Sequence, residues 1–555
     1  MKGSRPAAFF MHPAAMPDLL STLRRGLRLP PAGWTLAAML AFYVLAGLFG
    51  RDPWKGEDAI HIGTAWHMLH VGNWLTPEIA GRAFHEPPLY YWSAALCGHL
   101  FGWLLPAHEA LRLASGFWVA LALVSLYYAG RELYGRDSAA ASPLLLAGCL
   151  GLILHAHDAQ PVLIGVAAYS GALGAFAVSD RRPRLAALLY GLALAACLLG
   201  VGIAATLPLL AILPLVAWQS SRRGQALQTL LSGLAIAALL AAPWLLALSS
   251  QQPARFHAWL ATELAPLATP FSLPGAGRFL SMLPWLAFPA LPLALWTLWS
   301  RRQLLAASAQ WLPLVFLLLT LLMLALAYRP REVPALLLLP PLALLATPGA
   351  LMLRRGAANA FDWFAMMTFS LFAALVWLAW SAMALGWPQQ LAQRLVVLRP
   401  GFVGEFDLSD LLVGLAVTLW WIWLIVTAPR SPYRSLTHWT LGFTTLWLLA
   451  TTLILPWFDY GKSYRPVAEA VAAALPKGHG CLAERGLSDG QRASLAYFSH
   501  IEPAAHDSPA GKACDWLLLV GNTQAERTPP AGNWKLVWQG IRPGDRKEKF
   551  LLFRR

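Results

Sequence analysis

The chain has 555 residues, 58% of them hydrophobic and 12% charged, with a mean hydropathy of +0.53, a balance that excludes an ordinary soluble domain. The net charge of +15 raises nucleic acid as a partner, but the basic residues stand as short doublets between apolar runs and never form one face, which argues against it. From Trp34 to Trp457 the apolar runs repeatedly reach the ~20 residues that one crossing needs, and the short alternating segments of a barrel are absent, so the expectation is a polytopic helical membrane protein.

In chain order, residues 1–33 carry Arg24, Arg25 and Arg28 without a small-residue cleavage site, which predicts a retained, cytoplasmic N-terminus. Residues 34–50 form a first span and lead into a polar island, 51–92, rich in acids and histidines. Of the two apolar runs that follow, 89–105 holds Tyr90, Tyr91, Trp92 and Trp103 and is expected to lie as a helix in the interface, while 111–130 crosses. Basic groups at Arg181 to Arg184, Arg222 and Arg223, Arg301 and Arg302, Arg354 and Arg355, and Arg430 and Arg434 then fall on the N-terminal side. The length rule gives about thirteen spans in 34–457, with the C-terminus opposite the N-terminus.

Residues 458–555 have the character of a small α/β domain on the external face. Helical spacing marks 464–475 and 488–498, and strand patterns mark 481–484, 516–520, 535–539 and 548–553. Cys481 and Cys514 lie here and can pair if that face is oxidising, whereas Cys97, Cys149 and Cys197 sit in apolar segments as packing residues.

Chemistry concentrates in the island. Glu57 and Asp58 are adjacent acids opening a helix-like run, where the helix dipole favours negative charge. A helix cap is the plainer reading of the pair. The functional one is a general base that takes the proton of an acceptor hydroxyl as a sugar bond forms. His61, His67, His70 and His85 with Glu57, Asp58 and Glu86 also offer ligands to a divalent metal, with His61, His85 and Glu86 the first candidates, although the spacing matches no closed structural site. No other cofactor is indicated. Asp158, beside His155 and His157, is a second acid on an external loop.

The order of Trp54, the acid pair, a helix ending in Met68-Leu69, Gly72-Asn-Trp-Leu-Thr-Pro77 and Gly81-Arg-Ala-Phe-His-Glu-Pro-Pro-Leu-Tyr-Tyr-Trp92 resembles the first external loop of the bacterial aminoarabinose transferase and protein mannosyltransferase-like group. Tyr328-Arg-Pro-Arg-Glu-Val-Pro334, with Pro340-Pro341 after it, resembles a later span boundary of the same group. The similarity runs from about 34 to 347. It implies a GT-C fold and transfer of a sugar from a polyprenyl-phosphate donor to a lipid A, glycan or protein acceptor at the external face of the bacterial inner membrane, with the bilayer as partner.

Three departures stand out. The group writes Asp-Glu where this chain has Glu57-Asp58, which moves the base position to Glu57 unless Asp58 serves by a shift of one residue. It writes Phe-Glu-Lys-Pro-Pro where this chain has Phe84-His85-Glu86-Pro87-Pro88, and Lys-Gly where it has Val201-Gly202. Two expected phosphate-binding cations are therefore absent. Arg329 and Arg331, with Tyr328 and Arg82, are the candidate replacements, because a guanidinium binds phosphate in a planar, bidentate way. By the resemblance, Asp158 orients the acceptor or helps to hold a metal. A transporter, and a degenerate relative that binds the carrier lipid without turnover, are the alternatives.

Overall fold

Apolar runs that enter lipid must satisfy their backbone groups internally, and a helix does so within one segment. The computed structural model describes residues 33–220, 222–268, 273–304, 309–327, 332–545 and 547–555. Six described helices are long and apolar enough to cross a membrane, or up to eight if the bent pairs Phe279–Leu286 with Ala290–Ser300 and Arg434–Leu453 with Leu455–Lys462 each count once. Four shorter apolar helices, among them Val162–Val178 and Ile203–Gln219, account for much of the distance from the expected thirteen. Their runs are interrupted by glycine and proline, as where Gly202 separates Pro183–Gly200 from Ile203–Ala211. Leu339–Leu351 is buried along almost its whole length and forms the centre of the bundle. Arg355–Ala384 and Leu408–Thr427 expose most of their apolar side chains, as lipid-facing helices do.

Helix α1 (Gly33–Leu45) runs into the polar island. There α2 (Glu57–Val71) is followed by a hairpin of β1 (Glu78–Ile79) and β2 (Arg82–Ala83), then by α3 (Leu89–Phe101) and α4 (Ala107–Tyr134). The hairpin turns on Ala80 and Gly81, both at positive φ, as a tight two-residue hairpin turn requires. With 13 residues, α3 extends about 20 Å and is too short for the ~30 Å hydrocarbon core. The 28 residues of α4 reach about 42 Å and suffice.

Further along, α5 (Ile203–Ala211), α6 (Arg223–Gln251) and α7 (Pro253–Leu264) bound one flank of the island, α8 (Gln389–Leu398) follows, and α9 (Leu455–Lys462), on which Phe402 packs through Tyr460, bounds another. Beyond them lie α10 (Arg465–Ala474), β3 (Leu482–Arg485), α11 (Asp489–Ser499), β4 (Ala504–Ala505), β5 (Trp516–Gly521), β6 (Lys535–Ile541) and β7 (Lys549–Arg554). The sheet order is β4-β3-β5-β7-β6, with β3 parallel to β4 and β5, and β7 antiparallel to β5 and β6. Cys481 and Cys514 form a disulfide just ahead of the adjacent strands β3 and β5.

This sheet domain sits on the island. Helix α11 packs against α2 so closely that a Cβ on Gly63 would stand 2.6 Å from that of Ala493, which makes glycine necessary there. Arg465 Nε donates to Asp52 at 2.9 Å, and Tyr497 meets His108 Nδ1 at 2.8 Å. Buried Glu484 accepts from Arg82 of the hairpin and, at 3.1 Å, from Arg492 of α11.

Candidate functional site

The island separates the two adjacent acids. Asp58 is 3% exposed, and both carboxylate oxygens are engaged. Oδ2 accepts from Arg112 Nη2 at 3.0 Å and the Trp54 N–H at 3.1 Å, and Oδ1 accepts from the Ala159 N–H at 2.8 Å. Burial alone would raise the Asp58 pKa, but the Arg112 and Arg51 guanidiniums and the Ala159 N–H prevail and bring it down to about 2. Arg51, itself buried, joins Asp158 at 2.7 Å and donates to the His157 carbonyl at 2.7 Å. Arg112 closes the knot by donating to the Arg51 carbonyl at 3.0 Å. His157 packs behind it and contacts the Tyr43 carbonyl at 2.8 Å; its pKa falls to about 4, chiefly through burial.

Glu57, one residue earlier, has a side chain 52% exposed and lies 3.3 Å from His61 Nε2. The other ring nitrogen of His61 contacts the Tyr91 hydroxyl at 2.8 Å, and that hydroxyl donates to Glu86 at 2.6 Å. Burial disfavours a charged His61, but Glu86 and Glu57 outweigh it and raise the pKa. Burial also raises the pKa of Glu86, against the pull of His61 and the Tyr91 hydroxyl. One chain of contacts thus runs from half-exposed Glu57 through His61 and Tyr91 to Glu86.

Of the expected site residues, Glu57, Asp58, Glu86 and Asp158 converge on the start of α2. Arg82 turns instead to Glu484. His85 lines a small recess with Glu86, Thr76, Trp244, Arg255 and Trp259. Tyr328, Arg329 and Arg331 lie outside the described residues. Among the described residues no group of three or more His, Cys, Asp or Glu side chains converges as a metal ion would require, so His61, His85 and Glu86 do not fit that role together.

No family model matches the chain. An undecaprenyl phosphate-alpha-4-amino-4-deoxy-L-arabinose arabinosyl transferase of Pseudomonas fluorescens is 30% identical over 304 residues, covering 51% of this chain and 52% of that protein. One of Pseudomonas aeruginosa is 32% identical over 311 residues, covering 52% and 54%. The chain therefore spans about half the length of the curated relatives it matches. A crystal structure of ArnT from Cupriavidus metallidurans bound to undecaprenyl phosphate superposes with a TM-score of 0.66 at 15% identity, over 94% of this chain and 98% of that one. The fold is that of the aminoarabinose transferases.

Of the two places where the resemblance expects cations, one holds a carboxylate and the other, Val201, has one beside it. Glu86 stands at the lysine position of the Pro-Pro motif. At Val201-Gly202, the first N–H of α5, on Ile203, is taken by Glu263 of α7 at 2.7 Å. A Cβ on Gly202, whose φ is +113°, would collide with that carboxylate. Burial first, with the Glu86 charge adding to it, pushes the Glu263 pKa up to about 7. Beside Ile203 an apolar groove of about 350 Å³ runs between Pro183–Gly200, α5 and α6, lined by Leu198, Leu207, Ala241 and Leu245 among others.

Sequence reasoning missed Arg51, Arg112, Tyr91, Arg255 and Glu263 as site partners. Arg112 carried a readable signal, a cation at the head of an apolar run, and such residues are seldom idle. Arg255, which pairs with Glu78 at 2.6 Å, carried none.

Proposed function

We propose that the protein is a membrane glycosyltransferase that moves a sugar from a polyprenyl-phosphate carrier to a lipid A, glycan or protein acceptor at the external face of the bacterial inner membrane, with Glu57 as the base. The observation that carries this reading is the split of the acid pair: Asp58 is buried and saturated by Arg112 and Ala159, while Glu57 opens to solvent with His61 behind it. In the transfer, the acceptor oxygen attacks the anomeric carbon, its proton passes to Glu57, and the carbon–oxygen bond to the carrier phosphate breaks with the electron pair leaving on phosphate. Asp58, with Arg51, Arg112 and Asp158, holds the start of α2 still.

The relative solved with undecaprenyl phosphate supports a polyprenyl carrier here, and the apolar groove beside Ile203 offers a place for its tail. Arg329 and Arg331, with Tyr328, remain the candidates for its phosphate, and His85 and Glu86 are further substrate-binding candidates. About thirteen spans over 34–457, a cytoplasmic 1–33 and an external 458–555 complete the reading; the disulfide suits an oxidising compartment. The loss of both expected cations, to Glu86 and to Val201, favours, as a second reading, a carrier-lipid binder without turnover. Purified protein given a polyprenyl-phosphate sugar and lipid, glycan and peptide acceptors decides between them: transfer that Glu57→Gln abolishes supports the first, and absence of transfer with retained carrier binding supports the second.

A further inference from the structure

On another flank of α2 the fold collects cations, and the neighbouring carboxylate of Asp459 is given to the Trp54 indole N–H at 2.6 Å and the Asp52 N–H at 3.3 Å. The backbone N–H of Lys55 donates to the Lys462 carbonyl at 2.9 Å, beside an isolated bridge between Trp54 and Ser463. The Lys462 ammonium stands 4.0 Å above the Trp54 ring and 5.3 Å from that of Phe458. The Arg399 guanidinium stacks on Trp457 at 5.1 Å and donates to the Pro543 carbonyl at 3.3 Å, while its Nε is buried with no hydrogen-bond partner. It lies in a slot between Gly461 and Gly544, and a Cβ on either glycine would collide with it.

Among the described residues no carboxylate forms an ion pair with Lys55, Lys462 or Arg399. The acids that influence them are already committed, Asp158 to Arg51 and Asp545 to Arg542. Arg399, Lys55 and Arg51 all act on Lys462, and Arg542 acts on Arg399. Like charges held together in partly dry surroundings are unfavourable unless an anion joins them. The slot and the aromatic faces hold these charges in place.

We propose that Arg399, Lys462 and Lys55 form a seat for the phosphate of an anionic acceptor lipid, held at the membrane surface beside Glu57. Depth points to a lipid. Arg399 follows α8, whose Val396, Val397 and Leu398 are exposed, and Lys462 ends α9, which carries Trp457, so both cations stand where apolar segments meet the external domain. The seat shares no residue with the hairpin, α7 or the groove beside Ile203, where the carrier is placed. Lys55 precedes Glu57 by two positions and brings the rest of a bound headgroup next to the base. The word acceptor rests on the glycosyltransferase reading; the anion seat does not.

Two measurements on the full chain in detergent test this. Native mass spectrometry with added phosphatidic acid, against phosphatidylcholine, is expected to show preferential retention of phosphatidic acid that falls about tenfold in Arg399→Gln and in Lys462→Gln, as loss of one charge-assisted contact implies. Arg399→Lys is expected to keep most of it, and Lys512→Gln all of it. Equal retention by wild type, Arg399→Gln and Lys462→Gln overturns the seat, and displacement by equimolar inorganic phosphate overturns its assignment to a lipid. In transfer kinetics with a phosphorylated lipid acceptor, the two glutamine variants are expected to raise the acceptor KM about tenfold and leave the donor KM within about twofold. A rise in the donor KM alone overturns the acceptor assignment. Because retention needs no turnover, a chain that fails to transfer sugar still answers the first measurement.

Discussion

The two carboxylates at the head of α2 are neighbours in sequence and opposites in surroundings. Around Asp58 the chain brings Arg51, Arg112, Asp158 and the Ala159 N–H into a knot in which both oxygens of the buried carboxylate are engaged. Around Glu57 it leaves an open cluster that ends at Glu86, with groups whose pKa values are raised and whose protons can move. A buried, saturated acid makes a fixed point, and a half-exposed acid with a histidine behind it makes a reagent. On the proposed reading each residue takes one of these tasks, and the difference between them lies in burial.

The most severe test of that contrast removes the fixed point. Asp58→Ala leaves Arg51 and Arg112 buried without their shared acid, and breaking a buried pair in this way costs about 3–5 kcal/mol. The expected outcome is a collapse in folded yield and melting temperature. A variant that melts like wild type would show that the knot is not structural. The same knot predicts a pH dependence: the folded pKa of Asp58 lies at about 2, below the ~4 of an unfolded aspartate. Its contribution is therefore present above pH ~4 and is lost as pH falls towards 2. Thermal melts followed from pH 7 to pH 2.5 should fall only over the last stretch.

Glu57→Gln is the converse. It should lower transfer by about 10²–10⁴-fold, the range for loss of a general base, while the melting temperature stays within about a degree of wild type, as a half-exposed surface site allows. A shared loss of rate and stability would merge the two acids into one structural unit.

The C-terminal sheet domain shows how much of this was readable beforehand. Its two main helices and four of its strands fall within a residue or two of the pattern in the sequence, because alternation and helical spacing are local properties. The start of α2 was legible for the same reason. The division of labour between Glu57 and Asp58 was not, since Arg112 and Ala159 lie 54 and 101 positions away from Asp58 and no local pattern announces a long-range contact. Arg82 is the clearest case: its guanidinium reads as a phosphate ligand in a short motif, and the fold spends it on Glu484, 402 positions on. Apolar runs announced a membrane protein but not its number of crossings, because glycine and proline cut several of them into helices too short to span.

Glu484 connects the hairpin to the C-terminal sheet domain and predicts a smaller effect. Glu484→Gln weakens its charge-assisted contacts with Arg82 and Arg492 at once, which lowers the opening energy of the hairpin by about 1–3 kcal/mol. Faster amide exchange over 78–86, with α4 unchanged, is the expected reading. Exchange that rises throughout the chain would make Glu484 a determinant of the whole fold.

The gentlest probe acts inside the open cluster. Tyr91→Phe deletes the hydroxyl that donates to Glu86 at 2.6 Å, one of the groups that hold the Glu86 pKa down against burial. Without it the folded pKa of Glu86 rises further, so the carboxylate takes up its proton at a higher pH than in wild type. If transfer needs Glu86 ionised, to keep His61 charged behind Glu57, the acid limb of the pH–rate profile moves upward while the rate at the plateau falls by less than about tenfold. An acid limb that does not move would detach Glu86 from the reaction and leave the cluster to act on Glu57 through His61.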